Sequence, residues 1–201
     1  MAEKVVSGKT SLPAPLATGG MPLNEALKRR RSQRGFSDKG LTLEQISQLL
    51  WAAQGLTEPS KGFRTAPSAG ALYPLEIYIL EKGTLYHYLP ASHSIEVTSR
   101  DVDAGRLADA AVGQQFVGEA PAVFVIGAVF ERTRAKYGEE GDRYVHMEAG
   151  HAAQNLLLEA VSLGLGAVPV GSFYEKTTGE VLSLPAEVSP LYLIPVGYPA
   201  G

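Results

Sequence analysis

The stretch that most limits how this chain can fold is RYVHMEAGHAAQNLLLEAVSLGLGAVPVG, residues 143–171. Its apolar residues Val145, Ala149, Ala152, Ala153, Leu156, Leu157, Ala160, Val161 and Leu163 recur at three- and four-residue steps. That is the period of a helix, here of about five or six turns. No proline interrupts it before Pro169. Ala149, Gly150, Ala152 and Ala153 are small enough to admit a second backbone, and the leucines that follow supply core bulk. Gly164 and Gly166 stop the helix. The run AVPVG then reads as extended, with Pro169 and Gly171 barring it from an ordinary central strand. Two readings stand: a core helix ending in a loop, or a support that lays bare backbone N–H groups against a planar ligand.

A chain of 201 residues, 45% hydrophobic and 19% charged, suits one soluble domain with a real core. Its 18 Lys and Arg against 21 Asp and Glu leave a net charge of −3, which argues against general nucleic-acid binding. With no cysteine there is no disulfide frame, thiolate metal site or Cys nucleophile. No apolar window suits a signal peptide or a membrane span, so the expectation is a cytoplasmic protein with no membrane partner.

Residues 1–20, rich in Pro, Gly, Ser and Thr, read as an extended surface arm, and residues 21–201 as a single domain. A helix is expected over 22–31, with Pro22 in its first turn. It ends in Lys28-Arg29-Arg30-Arg31-Ser32-Gln33-Arg34, five cations in seven residues. Such a run is either a solvated face or an anion site in which guanidinium forks meet phosphate oxygens. Thr42-Leu43-Glu44-Gln45 is a capping-box pattern, opening an amphipathic helix that Gly55 closes. A loop over 57–71 leads into a strand at 75–80, a hairpin at Glu81-Lys82-Gly83, and a short strand near 95–97. Small residues around 104–112 suggest a helix. PAVFVIGAVF, 121–130, reads as a central strand buried on both faces, and ERTRAKYGEEGDR as a polar loop. A short helix near 178–184 and a last strand, LYLIPVGYP, complete an α+β chain with an antiparallel or mixed sheet.

Several site chemistries fail on spacing. Glu148-x-x-His151 has the helical spacing of di-iron sites, but the second copy and further carboxylates are missing, so no metal is expected. There is no G-x-S-x-G elbow, no Walker A run, and Gly164-Leu165-Gly166 lies at a helix end, not between strand and helix. What remains is an Arg-rich segment, a small-residue loop and a Gly/Pro turn after a long helix. Together they suit a flat cofactor carrying a phosphate.

Three motifs in order, RRRSQRGF, APSAGALYPLE and GHAAQNLLLEAVSLGLGAVPVG, resemble the FMN-dependent nitroreductase family, and with LTLEQISQLLWAAQGLT they resemble its SagB-type dehydrogenase branch. The likeness covers about residues 12–199. It implies a nitroreductase-like α+β fold, with a central, mostly antiparallel mixed sheet flanked by helices. It also implies an intertwined homodimer with FMN at the interface. Arg30, Arg31, Ser32 and Arg34 match the segment holding the ribityl chain and phosphate. Pro67, Ser68 and Ala69 match the loop that the other subunit lays on the flavin. Gln114 stands where many members have an Asn at the pyrimidine edge, and Pro169, Val170, Gly171 and Ser172 match the strand whose backbone N–H points at N5. Members often add a basic residue near the C-terminus. Here none follows Lys176, which leaves the phosphate to the Arg cluster.

Lys136-Tyr137 resembles the pair that dehydrogenases of azoline rings use for deprotonation, although such a dipeptide in a polar loop also arises by chance. As a base, Lys136 would draw on a neighbouring cation among Arg132, Arg134 and Arg143. The resemblance thus implies an FMN-dependent oxidoreductase passing hydride through flavin N5, acting on a small-molecule or peptide-derived substrate. The alternatives are an NAD(P)H-dependent quinone or nitroaromatic reductase, with NAD(P)H as electron donor, and a flavin-binding protein without turnover.

Overall fold

The computed structural model describes residues 8–200; residues 1–7 of the expected arm, and Gly201, lie outside the described residues. In chain order the elements are β1 (Lys9–Ser11), α1 (Leu23–Arg29), α2 (Leu43–Gln54), β2 (Leu56–Glu58), β3 (Phe63–Arg64), β4 (Leu75–Glu81), β5 (Thr84–Leu89), β6 (Ser94–Ser99), α3 (Ala104–Ala110), α4 (Gln115–Glu119), β7 (Ala122–Ala128), α5 (Glu131–Tyr137), α6 (Glu140–Ser162), β8 (Gly166–Ala167), α7 (Glu175–Leu182) and β9 (Ser189–Gly197). Seven strands form one sheet in the order β1-β6-β5-β4-β7-β9-β8, every named pair antiparallel. β1 adds to the sheet edge beside β6 from within the stretch read as an arm.

β7 is the centre, all seven of its residues buried between β4 and β9. Because strand side chains alternate, Phe124 and Ile126 enter the core shared with Leu49, Leu50 and Leu156. Val123 and Val125 enter the opposite core, with Leu107, Val117 and Leu182. Helices α2 and α6 therefore cover one face of the sheet, and α3, α4 and α7 cover the other.

The capping box of α2 forms as the sequence requires. Thr42 Oγ1 accepts from Gln45 N at 3.2 Å, and Gln45 Oε1 accepts from Thr42 N at 2.9 Å. A cap of this kind contributes about 1 kcal/mol. Helix α6 runs 23 residues and starts at Glu140, ahead of Val145, where its apolar period begins.

Three expectations need correction. The stretch 131–143 is not a loop: it is α5 followed directly by the first turn of α6. Thr133 is the one buried residue of α5, so the helix has no apolar stripe to betray it. It is held instead by Arg134, which grips Asp142 through both guanidinium arms at 2.6 and 2.8 Å, and by Phe130 edge-on to His146. The first helix ends at Arg29, so Arg30 onward is extended rather than helical. The loop at 57–71 contains the β2–β3 hairpin. The second backbone expected beside Ala149 and Ala153 belongs to α2 of this same chain, where α6 packs on α2 and both residues are buried.

Candidate functional site

Two chain segments far apart in sequence meet at the C-terminal end of α6. The extended run after Arg30 lies along β8: Ser32 bridges Ala167 in parallel, and Gln33 N donates to Ala167 O at 3.0 Å. The approach is so close that a Cβ added to Gly166 would sit 2.6 Å from Gln33 Cγ, so only glycine fits there. Arg30 is half-buried, while Arg31, Ser32 and Arg34 are exposed. Among the described residues none of these three arginines has a carboxylate partner, whereas Arg29 pairs with Glu25. Arg31 folds back onto the Lys28 and Arg30 carbonyls at 3.1 and 2.8 Å. A groove of about 300 Å³ opens beside Arg31, Gln33 and Gly166.

Beyond β8 the chain continues as an edge. Val170 exchanges both backbone hydrogen bonds with Leu193, at 2.8 and 3.0 Å. Strand alternation turns the next N–H outward, and Pro169 has none to offer. The Gly171 and Ser172 N–H groups meet no protein acceptor among the described residues, and both residues are exposed. Gln114 is tied to this edge, its Nε2 donating to Ser172 O at 3.1 Å and Ala111 O at 2.7 Å. That leaves its carbonyl oxygen as an acceptor. Arg34 lies 5.7 Å from the Phe116 ring centroid. Arg30 to Arg34, Gln114 and Pro169 to Ser172 thus form one continuous cationic, donor-rich surface.

Pro67, Ser68 and Ala69 lie elsewhere, against the N-terminal half of α6. A short 3-10 turn, Ala69–Ala71, follows Ser68, whose Oγ accepts from Tyr73 N at 2.9 Å. Gly70 (φ 62°) faces Lys136 and Tyr137: a Cβ there would sit 2.9 Å from both Lys136 Nζ and the Tyr137 hydroxyl. Lys136 is exposed and Tyr137 half-buried. Two of the cations expected near Lys136 are already engaged. Arg134 holds Asp142, and Arg132 binds Glu76 and donates to Tyr73 O at 3.2 Å. Burial works against the Glu76 charge, but bonds from His87 and Arg132 outweigh it and hold its carboxyl below the ordinary range.

The sequence missed a buried polar cluster beside this loop. Glu148 is 3% exposed, and burial pushes its carboxyl up to about 7, against the opposing pull of Ser68, Arg64 and Gln54. Arg64 Nη1 donates to Gln54 Oε1 at 3.0 Å, and its guanidinium lies 4.5 Å from the Tyr73 ring centroid. The available signal was a carboxylate set within the apolar stripe of α6, between Val145 and Ala149. His151, the other half of the metal-like spacing, is exposed.

The two groups of residues are separated by the length of α6. From Glu148 to Ser162 the helix rises about 20 Å, which sets the arginine segment beside Ser162 well apart from the Pro67–Ala69 loop. A larger groove of about 590 Å³, lined by Leu16, Gln48, Trp51, Asn155 and Glu159 among others, contains none of the candidate catalytic or cofactor-binding residues.

The family model described as Nitroreductase family matches residues 27–198. A protein of Methanocaldococcus jannaschii, provisionally named a nitroreductase, is 48% identical over 183 residues, 87% of this chain and 90% of its own. The crystal structure of a Ralstonia eutropha protein, provisionally named in the same way, has a TM-score of 0.86 at 33% identity, covering 96% of this chain and 90% of that one. The microcin B17-processing protein McbC of Escherichia coli is 31% identical over 154 residues, 71% of this chain and 57% of its own length. With these matches spanning the sheet and both ends of α6, the chain belongs to the nitroreductase family.

Proposed function

We propose that this chain is an FMN-dependent oxidoreductase of the SagB-type dehydrogenase branch, working as a homodimer with residues 21–201 as its flavin-binding domain. The residues present fit the cofactor. Arg30, Arg31 and Arg34 have no carboxylate partner among the described residues and suit a terminal phosphate, with Ser32 as a neutral donor. The unpartnered N–H of Gly171 suits the ring edge at N5, and Gln114 keeps a carbonyl for the pyrimidine side. When bound, FMN would supply two-electron hydride transfer at N5.

The separation along α6 supports the dimer. If the Pro67–Ala69 loop of one copy covers the arginine-lined surface of the other, both groups reach one ring. Lys136 and Tyr137 then arrive with that loop, because Gly70 touches both. This juxtaposition carries the dehydrogenase reading: an amine and a phenol side by side, held at the loop that covers the ring, can take a proton at Lys136 Nζ from a substrate losing hydride. Likeness to McbC, a protein that processes microcin B17, favours a peptide-derived substrate.

The second reading, an NAD(P)H-dependent reductase of quinones or nitroaromatics, is favoured by the provisional nitroreductase name of the 48% identical relative. It needs no protein base, since hydride arrives from the nicotinamide and water can protonate the product. A flavin carrier without turnover would need neither. Both half-reactions in Lys136→Ala and Tyr137→Phe decide among them. A dehydrogenase loses substrate oxidation in both variants and keeps FMN binding. Unchanged oxidation and reduction in both would overturn the dehydrogenase reading.

A further inference from the structure

The segment from Ser68 to Tyr73 is held in an unfavourable backbone shape. Ala71 (φ 54°) and Tyr73 (φ 48°) both sit in the left-handed region, where residues with a Cβ are uncommon. Such a shape persists only when its surroundings hold it. At Tyr73 the holders are visible: Ser68 Oγ on Tyr73 N, Arg132 on Tyr73 O, and Arg64 on the Tyr73 ring. At Glu148, which Ser68 and Arg64 also face, the arrangement is different. Glu148 Oε1, Gln54 Nε2 and Arg64 Nε are all buried without a hydrogen-bond partner, although Gln54 and Arg64 are themselves joined. These three atoms lie in one cluster, which faces Ser68 of a loop that also meets Lys136 and Tyr137 at Gly70.

We propose that Glu148 is a positioning residue which sets whether the Ser68–Tyr73 loop stays seated against Arg64 and Gln54, and thereby where Gly70 meets Lys136 and Tyr137. The groups facing Glu148 fix the direction of its effect. Arg64 is the charged one, coming from β3; Gln54 from α2 and Ser68 from the loop are neutral. Arg64 in turn feels Glu76 on β4 and Arg132 on α5. Desolvation is the largest influence on Glu148 and exceeds the combined pull of these partners. Opening the loop admits water and removes that penalty, so the ionised carboxylate favours the open loop and the neutral acid the seated one. Loop seating therefore weakens as pH rises from the ordinary carboxylate range to about 7, and levels off above it.

The inference gives the proposed site a pH-dependent cover, yet it can be tested without cofactor or substrate. Its failure leaves the flavin reading untouched, and failure of the flavin reading leaves it standing. The experiment is amide hydrogen exchange of Ala71, Leu72 and Tyr73 from pH 5 to 8, corrected for intrinsic rates, with the β7 amides as reference. Protection should fall by up to about tenfold per pH unit between about 5 and 7 and then flatten. In Glu148→Gln, isosteric and uncharged, it should stay flat and high. Ser68→Ala should lower the protection of Tyr73 at every pH while retaining the slope. A flat profile in the parent protein would overturn the proposal, as would an unchanged slope in Glu148→Gln. Should that variant not fold, the parent profile together with Ser68→Ala decides the matter.

Discussion

The two ends of α6 solve opposite physical problems. At the C-terminal end, Arg31 and Arg34 stand exposed and Arg30 half-buried, none with a carboxylate partner among the described residues, and farther along the chain the exposed Gly171 and Ser172 N–H groups meet no protein acceptor there. Exposure makes this cheap, because water satisfies the groups until an anion replaces it. At the N-terminal half, Glu148 and Gln54 are buried and Arg64 half-buried, each with a buried polar atom that meets no partner among the described residues, beside a strained loop. Burial makes that costly, since an unsatisfied buried polar group carries about 1–3 kcal/mol. The contrast separates a surface that waits for a ligand from a device that positions side chains. On the proposed reading each end is half of a site, and the 590 Å³ groove between α1, α2 and α6 belongs to neither half.

The sharpest way to break this comparison is to mix the halves. A homodimer carrying Lys136→Ala should lose substrate oxidation by about 10²–10⁴-fold. A mixed dimer, with Arg30→Ala and Arg34→Ala on one chain and Lys136→Ala on the other, has one site with both halves intact. It should regain roughly half of the parent rate, because two-fold symmetry pairs unlike halves. No recovery would place both halves of each site in one chain.

The next effect falls on the exposed end alone. Charge-assisted hydrogen bonds are worth about 1.5–3 kcal/mol each, so removing one arginine should weaken FMN binding by roughly ten- to a hundredfold. The Arg30→Ala, Arg34→Ala pair should lose more, with Tm of the flavin-free protein unchanged. Isothermal titration with FMN checks both, and parent-like affinity in the double variant would move the phosphate elsewhere.

The buried end should instead reveal itself in stability. Glu148 holds its proton more tightly folded than unfolded, so its contribution is present in full below about pH 4.5 and is lost as pH rises to about 7. The loss amounts to about 3 kcal/mol at about 1.4 kcal/mol per pH unit. Urea unfolding at pH 5 and pH 7.5, parent against Glu148→Gln, should show a difference of that sign. The smallest effect is Arg132→Ala. Its partly exposed pair with Glu76 should cost about 1 kcal/mol or less in unfolding free energy, while lowering the exchange protection of Tyr73.

Much of this was legible from sequence wherever burial and period coincide. The apolar steps of α6, the Thr42–Gln45 box and the unbroken run of β7 each follow from one local rule. Helix α5 escaped because its single buried residue, Thr133, leaves no period, and its hold on α6 is the Arg134–Asp142 pair rather than an apolar face. The arginine segment was visible as charge, but its extended course along β8 depends on Gly166, more than a hundred residues later. The role of Glu148 was hidden for the same reason: its partners come from α2, β3 and the loop, and only the fold brings them together.

The most direct test of the account is the flavin content of the purified protein. The account predicts a yellow protein that releases FMN, not FAD, on denaturation, in amounts equimolar with the chain. A colourless protein that gains no bound-flavin absorbance when FMN is added would contradict it.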